Sequence, residues 1–174
     1  MQTTSKLKLK LPGDADKATP EDFNANFRAL EGYVTSLTQV CSAHTPAALS
    51  LTQSLKQVSF GQIVKSGYVF SLSAGGVKVL ESGFAMVDAH VNANNMLAAD
   101  RFSMDIVKNG ATFYQYAMEL SYGWEATIDQ TSKLFPVAAN DILAVKVRNE
   151  TAVRGAINAP ATWMNVRFFK SLNF

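Results

Sequence analysis

The C-terminal two-thirds of the chain is cut by turn signals into short β-rich runs, and this punctuation limits the fold more than any other feature. The clearest runs are residues 57–64, 68–72, 77–80, 84–91, 101–107, 111–120, 125–133, 142–148 and 162–170. Lys108-Asn109-Gly110 joins two of them. Asn-Gly accepts the two positive-φ positions that the tightest hairpin turn demands, so a hairpin is expected there. Gly75-Gly76, Ser82-Gly83 and Ala139-Asn140-Asp141 separate other runs. Many short strands behind a single helical pattern predict a mainly β fold, a sandwich or barrel.

The faces of these strands carry a further constraint. Phe102, Met104 and Ile106 alternate with Ser103 and Asp105, the pattern of a strand with one wet side. Residues 111–120 do not alternate in this way. Tyr114, Tyr116, Met118 and Leu120 share one face, and Phe113 and Ala117 stand beside Gln115 and Glu119 on the other. Residues 84–91 likewise set Ala85, Val87, Ala89 and Val91 against Phe84 and Met86. One sandwich core covers one side only. The second cover is a neighbouring subunit, with Tyr114, Tyr116 and Met118 as the interface strand, or a loop or helix of the same chain.

A helix is expected ahead of the β-region. Thr19 is a capping residue, Pro20 suits the first helical position, and Glu21 and Asp22 favour the positive end of the helix dipole. Phe23, Phe27, Leu30, Val34, Leu37 and Cys41 then step by four and three, the seam of a coiled coil. Pro46 disfavours helix at Thr45 and ends the pattern. Before the helix, Lys6 to Leu11 alternates lysine and leucine, which gives a strand one basic and one apolar face. The expected parts are an attachment segment over residues 1–18, a coiled-coil helix over 19–45, and a β-domain over 46–174.

Several function classes are excluded or disfavoured. The formal net charge is only +2, and the basic residues are scattered, so no stripe tracks a phosphate backbone. Nucleic acid is therefore not an expected partner. The single cysteine rules out an intrachain disulfide. The N-terminus lacks the apolar core of a secretory signal, and no apolar run reaches the roughly 20 residues of a membrane span. A soluble protein without membrane insertion is expected.

Candidate chemistry is sparse. Cys41 and His44 form C-x-x-H, but structural zinc needs four ligands, so packing is the simpler reading. Asp88 and His90 share one strand face and are placed to share a proton or a ligand. Asp105, Glu119, Glu125 and Asp129 are available for a glycan-cleaving carboxylate pair, at separations the sequence does not fix. No nucleophile elbow, phosphate loop, dinucleotide fingerprint or calcium loop occurs, so no catalytic residue, cofactor or metal is assigned. Ser121-Tyr122-Gly123-Trp124-Glu125 combines two aromatics and a carboxylate in a turn, which suits stacking on a sugar ring. Arg148 and Arg154 flank a second polar loop. Tyr122, Trp124, Glu125, Arg148 and Arg154 are thus the candidate ligand contacts, with interface packing as the alternative for the aromatics.

Two resemblances arise from these residues. The order S-G-F-A-M-V-D-A-H-V-N-A (82–93), R-F-S-M-D-I-V-K-N-G (101–110), L-F-P-V-A-A-N-D-I-L-A-V-K-V (134–147) and W-M-N-V-R-F-F (163–169) resembles the globular head of complement and tumour-necrosis-factor-type proteins. That family implies a jelly-roll sandwich and a homotrimer. Asn140-Asp141 stands where the family usually has Gly-Asp. L-K-L-P-G-D followed by E-D-F-N-A-N-F-R-A-L-E resembles the N-terminus of small tailed-phage virion proteins. Those imply a trimeric fibre or spike, joined to other virion proteins through the N-terminal segment, with the head displayed for host-surface glycan binding. A capsid decoration without a receptor role, a small β-sandwich enzyme acting on glycan, and a non-phage trimeric lectin are the alternatives.

Overall fold

The computed structural model describes residues 2–3, 10–11, 19–65 and 68–170, leaving aside the side chains of residues 2–3, 10–11, 29 and 31–38. The chain divides into two compact units, Met1–Thr38 and Gln39–Phe174.

In the first unit, β1 (Gln2–Thr3) pairs antiparallel with β2 (Lys10–Leu11). Only the end of the expected Lys-Leu strand falls within the described residues. Helix α1 (Pro20–Leu37) starts as its sequence demands. The Asp22 N–H donates to Thr19 Oγ1 at 3.3 Å, and the Asp22 carboxylate accepts the Thr19 N–H at 3.2 Å. This reciprocal cap satisfies two donors that a helix start leaves open. Phe23, Phe27 and Leu30 are all exposed, Phe27 by 69%, and with Asn26 they line one apolar groove. The seam side chains Val34 and Leu37 lie outside the described residues.

Cys41 does not belong to the seam. The helix ends at Leu37, and β3 (Thr38–His44) follows at once. Gln39, Cys41 and Ala43 are buried while Val40 and His44 are exposed. This period of two is what a half-buried strand imposes. Pairing of β3 with neighbouring strands therefore outweighs one more helical turn, and the helix does not reach residue 45 as expected.

The second unit continues through β4 (Leu49–Ser50), β5 (Lys56–Gln57), β6 (Gln62–Lys65), β7 (Phe70–Ser73), β8 (Gly76–Val79), β9 (Gly83–Met96) and β10 (Arg101–Lys108). It closes with β11 (Ala111–Glu119), β12 (Trp124–Thr131), β13 (Phe135–Val137), β14 (Ile142–Asn149), β15 (Ala156–Ile157) and β16 (Trp163–Lys170). One sheet runs β11-β10-β14-β8-β7, with β5 also on β14. The other runs β4-β15-β9-β16-β3-β6, with β12 and β13 along the free side of β9. Every strand pair with a defined register is antiparallel, and the two sheets share one core. Val87, Val91, Met164, Val166 and Phe168 from the β9 sheet meet Phe102, Met104, Ile106, Leu143, Val145 and Val147 from the β10 sheet. This head is a mainly β jelly-roll sandwich.

The Asn-Gly hairpin forms between β10 and β11, with φ of 52° at Asn109 and 82° at Gly110. The Asn109 amide does more than turn the chain. It donates to Asp141 Oδ1 at 2.7 Å and accepts the Ile142 N–H at 2.8 Å, tying the hairpin to the loop before β14.

Of the two-faced strands, β9 keeps part of its second face open, and β11 exposes aromatic residues because it lies at a sheet edge. On β9, Phe84 points away from the core and is exposed, with Met86 half-buried on the same side. On β11, Tyr114, Tyr116 and Met118 lie opposite Ile106, Met104 and Phe102, on the core side of the sheet. Tyr114 and Met118 pack on the core margin, whereas Tyr116 is exposed. Phe113 is exposed as well, and its ring lies 4.3 Å from that of Phe135 on β13. The β11 edge is thus rich in aromatic surface.

Candidate functional site

β9 gives the head two poles. Its first residue, Gly83, lies opposite Lys170 at the end of β16, and its last, Met96, lies opposite Trp124. The chain enters the head at the Gly83 pole. Gln39 Oε1 accepts the N–H groups of Tyr68 and Val69 there, while the far end of β3 reaches Thr162 through the Thr45 N–H. The Met96 pole is formed by three loops, residues 97–100, 120–123 and 150–155.

Two aromatic side chains stand out from this far pole, Tyr122 at 85% exposure and Trp124 at 76%. Leu97 is exposed beside them. Gly123 permits the close approach, since a Cβ there would meet Leu97 Cα and Met96 O at 3.2 Å each. Trp124 has φ of 107° and sits at a bulge against β9. A side chain held at positive φ costs on the order of 1 kcal/mol or more, and an exposed indole recovers none of that by burial.

One buried carboxylate holds the pole together. Asp100 is fully buried, and its Oδ2 accepts the Leu97 N–H at 2.9 Å. Arg154 donates to it from Nε at 2.8 Å and from Nη2 at 2.6 Å. The Asp100 carbonyl accepts the Leu120 N–H, and the Ala99 N–H donates to the Leu120 carbonyl. Asn149 completes the frame, accepting the Thr151 and Ala152 N–H groups and donating to the Arg154 carbonyl. The Arg154 hydrogen bond is the chief reason the Asp100 carboxyl lies below the usual carboxylate value. The Leu97 N–H and Asn149 add to it, and burial works in the opposite direction. The ion pair therefore joins loops 97–100 and 150–155, and backbone hydrogen bonds tie loop 120–123 to the same point.

The five expected ligand contacts separate. Tyr122 and Trp124 are free at the pole. Arg154 is committed to Asp100. Arg148 donates to Ser103 Oγ at 3.2 Å and to Glu150 at 3.0 Å, and Glu150 also holds Arg101 at 2.9 Å. Glu125 lies on the outer face of the β9 sheet, where Asn92 Nδ2 donates to it at 2.5 Å.

That outer face carries a polar field. Asp129, His90 and Trp163 form one row across β12, β9 and β16, and Thr131, Asp88 and Asn165 form the next. His90 Nδ1 and Asp129 are 2.5 Å apart, and the His90 ring stacks on Trp163 at 5.4 Å with 7° between planes. Asp88 pairs with Arg167 at 2.8 Å. Asp88 and His90 thus share a face as expected, but each has a different partner. Trp163, Asn165, Asn92 and Asp100 were not among the expected site residues.

The four candidate carboxylates are divided between the two sheets. Asp105 lies on the β10 sheet with Thr112 Oγ1 at 2.7 Å, and Glu119 stands on β11, whereas Glu125 and Asp129 belong to the other sheet. Four residues along one strand separate Glu125 from Asp129, roughly 13 Å. That exceeds the ~9.5 Å limit for two carboxylates acting on one glycosidic bond. Cys41 points into the core while His44 is exposed and hydrogen-bonds Ser42, so C-x-x-H is no metal site. Burial pushes the Cys41 thiol up to about 11, with Lys65 working the other way. No cluster of three metal-ligating side chains occurs among the described residues.

No protein-family model matches the sequence. No curated protein is detectably similar to it in sequence. The fold, however, recurs in solved structures. Murine APRIL, in a crystal structure at pH 5.0, superposes with a TM-score of 0.61 at 12% identity, over 76% of this chain and 99% of that one. The head is a tumour-necrosis-factor-like jelly roll. Eiger TNF from S. frugiperda gives 0.53 at 14% identity, over 78% of this chain and 94% of that one. GITRL from bushbaby gives 0.50 at 14% identity, over 79% and 98%. At such identities the likeness is one of fold.

Proposed function

We propose that the chain is a homotrimeric, non-enzymatic virion protein of a tailed phage, a fibre or spike whose jelly-roll head presents Tyr122 and Trp124 to a host-surface glycan. The observation that carries the binding role is the exposed aromatic pair at the pole opposite the point where the chain enters the head, with Trp124 in strained backbone. A head attached at one pole and binding at the other is the arrangement a displayed adhesin needs.

Two sets of apolar surface support the trimer. The α1 groove lined by Phe23, Phe27 and Leu30 has the spacing of a coiled-coil seam and lies exposed. The β11 edge offers Phe113 and Tyr116, and the β9 face offers Phe84. Such surfaces on one chain mark sites of association. Three weak sites displayed together gain avidity on a dense surface without any new contact. The virion assignment rests on the E-D-F-N-A-N-F-R-A-L-E motif and its resemblance to phage proteins, which also implies attachment through the N-terminal segment.

Glycan-array binding by the full chain tests the reading. Wild-type protein is expected to bind surface glycans of the host, and Trp124→Ala to lose that binding while keeping its fold and mass. Equal binding by the variant removes the pole from the mechanism. Immunogold labelling of particles tests the virion role, with signal on the tail expected and signal on the capsid pointing to decoration instead.

A further inference from the structure

We propose that the polar half of the outer β9-sheet face is a second binding site, separate from the Tyr122–Trp124 pole, for a neutral or amino-bearing saccharide. The site is built from Asn92, His90, Asp129, Glu125, Trp163 and Asn165. It does not rest on the pole being a binding site.

The hydrogen bonding on this face is divided in a telling way. One part positions the side chains. His90 Nδ1 is fixed by Asp129, and its ring lies flat on Trp163. Asn92 Nδ2 is shared between Glu125 Oε1 and Thr127 Oγ1, at 2.5 and 2.9 Å. The other part is left over. His90 Nε2, the second oxygens of Asp129 and Glu125, and the Asn165 amide have no partner among the described residues. Planar groups held in place with their outer atoms free are what oriented hydroxyl groups require. Rows spaced by about 4.8 Å across strands and roughly 7 Å along them match the scale of a sugar ring and its substituents.

A second observation points outward independently. Asn92 is only 5% exposed, and its Oδ1 has no hydrogen-bond partner among the described residues. Leaving a buried acceptor unpaired is costly, and a water or a ligand hydroxyl entering beside Asn92 would supply the missing donor. Flipping the amide does not help, because Glu125 would then face an oxygen.

Charge selects the ligand class. Asp88, Glu125 and Asp129 carry three negative charges on this face against one positive charge on Arg167. An anionic polymer is repelled, whereas a neutral or amino sugar is not. A protein partner fits this half poorly, because a protein interface needs an apolar centre. Apolar Phe84 and Met86 sit at the opposite end of the same strand.

Titration of the full chain with three oligosaccharide probes tests the inference. Chitosan oligomers (amino) and chitin oligomers (neutral) are expected to bind, and polygalacturonate (anionic) is not. Asn165→Ala and Asp129→Asn are each expected to weaken binding roughly tenfold with the melting temperature unchanged, a loss of about 1.4 kcal/mol. Leu72→Ala, an exposed position on β7 of the other sheet and outside both sites, leaves it unchanged. Diethyl pyrocarbonate located by mass spectrometry gives a second readout: His90 reacts in the free protein and is protected by the bound oligomer. Failure of all probes, preference for polygalacturonate, or an unreactive His90 in the free protein overturns the proposal, the last because a second copy then covers the face. Failure of the pole reading appears separately, as host-glycan binding indifferent to Trp124→Ala.

Discussion

Replacing Asp100 with alanine should destabilise the head by about 3 kcal/mol. The magnitude follows from what the carboxylate holds. It is fully buried and accepts the Leu97 N–H and two guanidinium N–H groups of Arg154. Breaking a buried charge pair costs about 3–5 kcal/mol when the remaining charge stays buried. Arg154 is partly exposed, so water recovers its guanidinium, and the lower end of that range applies. The Leu97 N–H is left without its acceptor, and loops 97–100 and 150–155 lose the side-chain link between them. For a domain of this size about 3 kcal/mol lowers the melting temperature by roughly 10 °C. Differential scanning calorimetry at neutral pH measures it directly. The folded carboxyl lies below its unfolded value, so this contribution is present above about pH 4 and is lost as pH falls through the depressed folded value. The gap between wild type and Asp100→Ala should therefore narrow in acid. A shift under 3 °C at neutral pH, or a gap that widens below pH 4, refutes the view that this ion pair anchors the pole.

Three further outcomes are expected. Trp124→Gly should raise head stability by roughly 1 kcal/mol, read as a higher melting temperature, because glycine adopts φ of 107° freely and little burial is lost; a lower melting temperature would show that the indole packs. Phe27→Asp should loosen trimers in sedimentation while leaving the head's thermal transition in place, since α1 belongs to the first compact unit; loss of the head transition would mean that the head depends on the helix. Cys41 should resist thiol reagents at pH 8 in the native protein and react on unfolding, because it is buried and its thiol is pushed up to about 11; rapid native labelling would contradict its place in the core.

The parts of the fold legible in the sequence were those set by local rules. Asn109-Gly110 specified a hairpin because few other pairs accept two positive φ values, and Thr19-Pro20 with Asp22 specified a helix start. The end of that helix was not legible. The four-three stepping continues to Cys41, and only β3 pairing with strands distant in sequence turns the segment into a strand. Asn92 to Asn95 hid in the same way. Three asparagines in four residues are poor strand formers, and the expected run ends at Val91, yet β9 runs on to Met96 as Asn92 finds Glu125 and Thr127 across the strand. Tyr122 and Trp124 were visible as residue types, though the strain at Trp124 was not. Arg154 looked like a ligand contact because its partner, Asp100, lies 54 positions away in the chain. The His90–Asp129–Trp163 row depends on the register of three strands, which alternation does not fix.

The central claim is that this chain works as a trimer, and light scattering coupled to size exclusion at micromolar concentration tests it most directly. Three copies of an 18.9 kDa chain give about 57 kDa, and that mass is expected for wild type. A single species at 18.9 kDa would contradict it and leave the α1 groove and the β11 edge without the partner proposed for them.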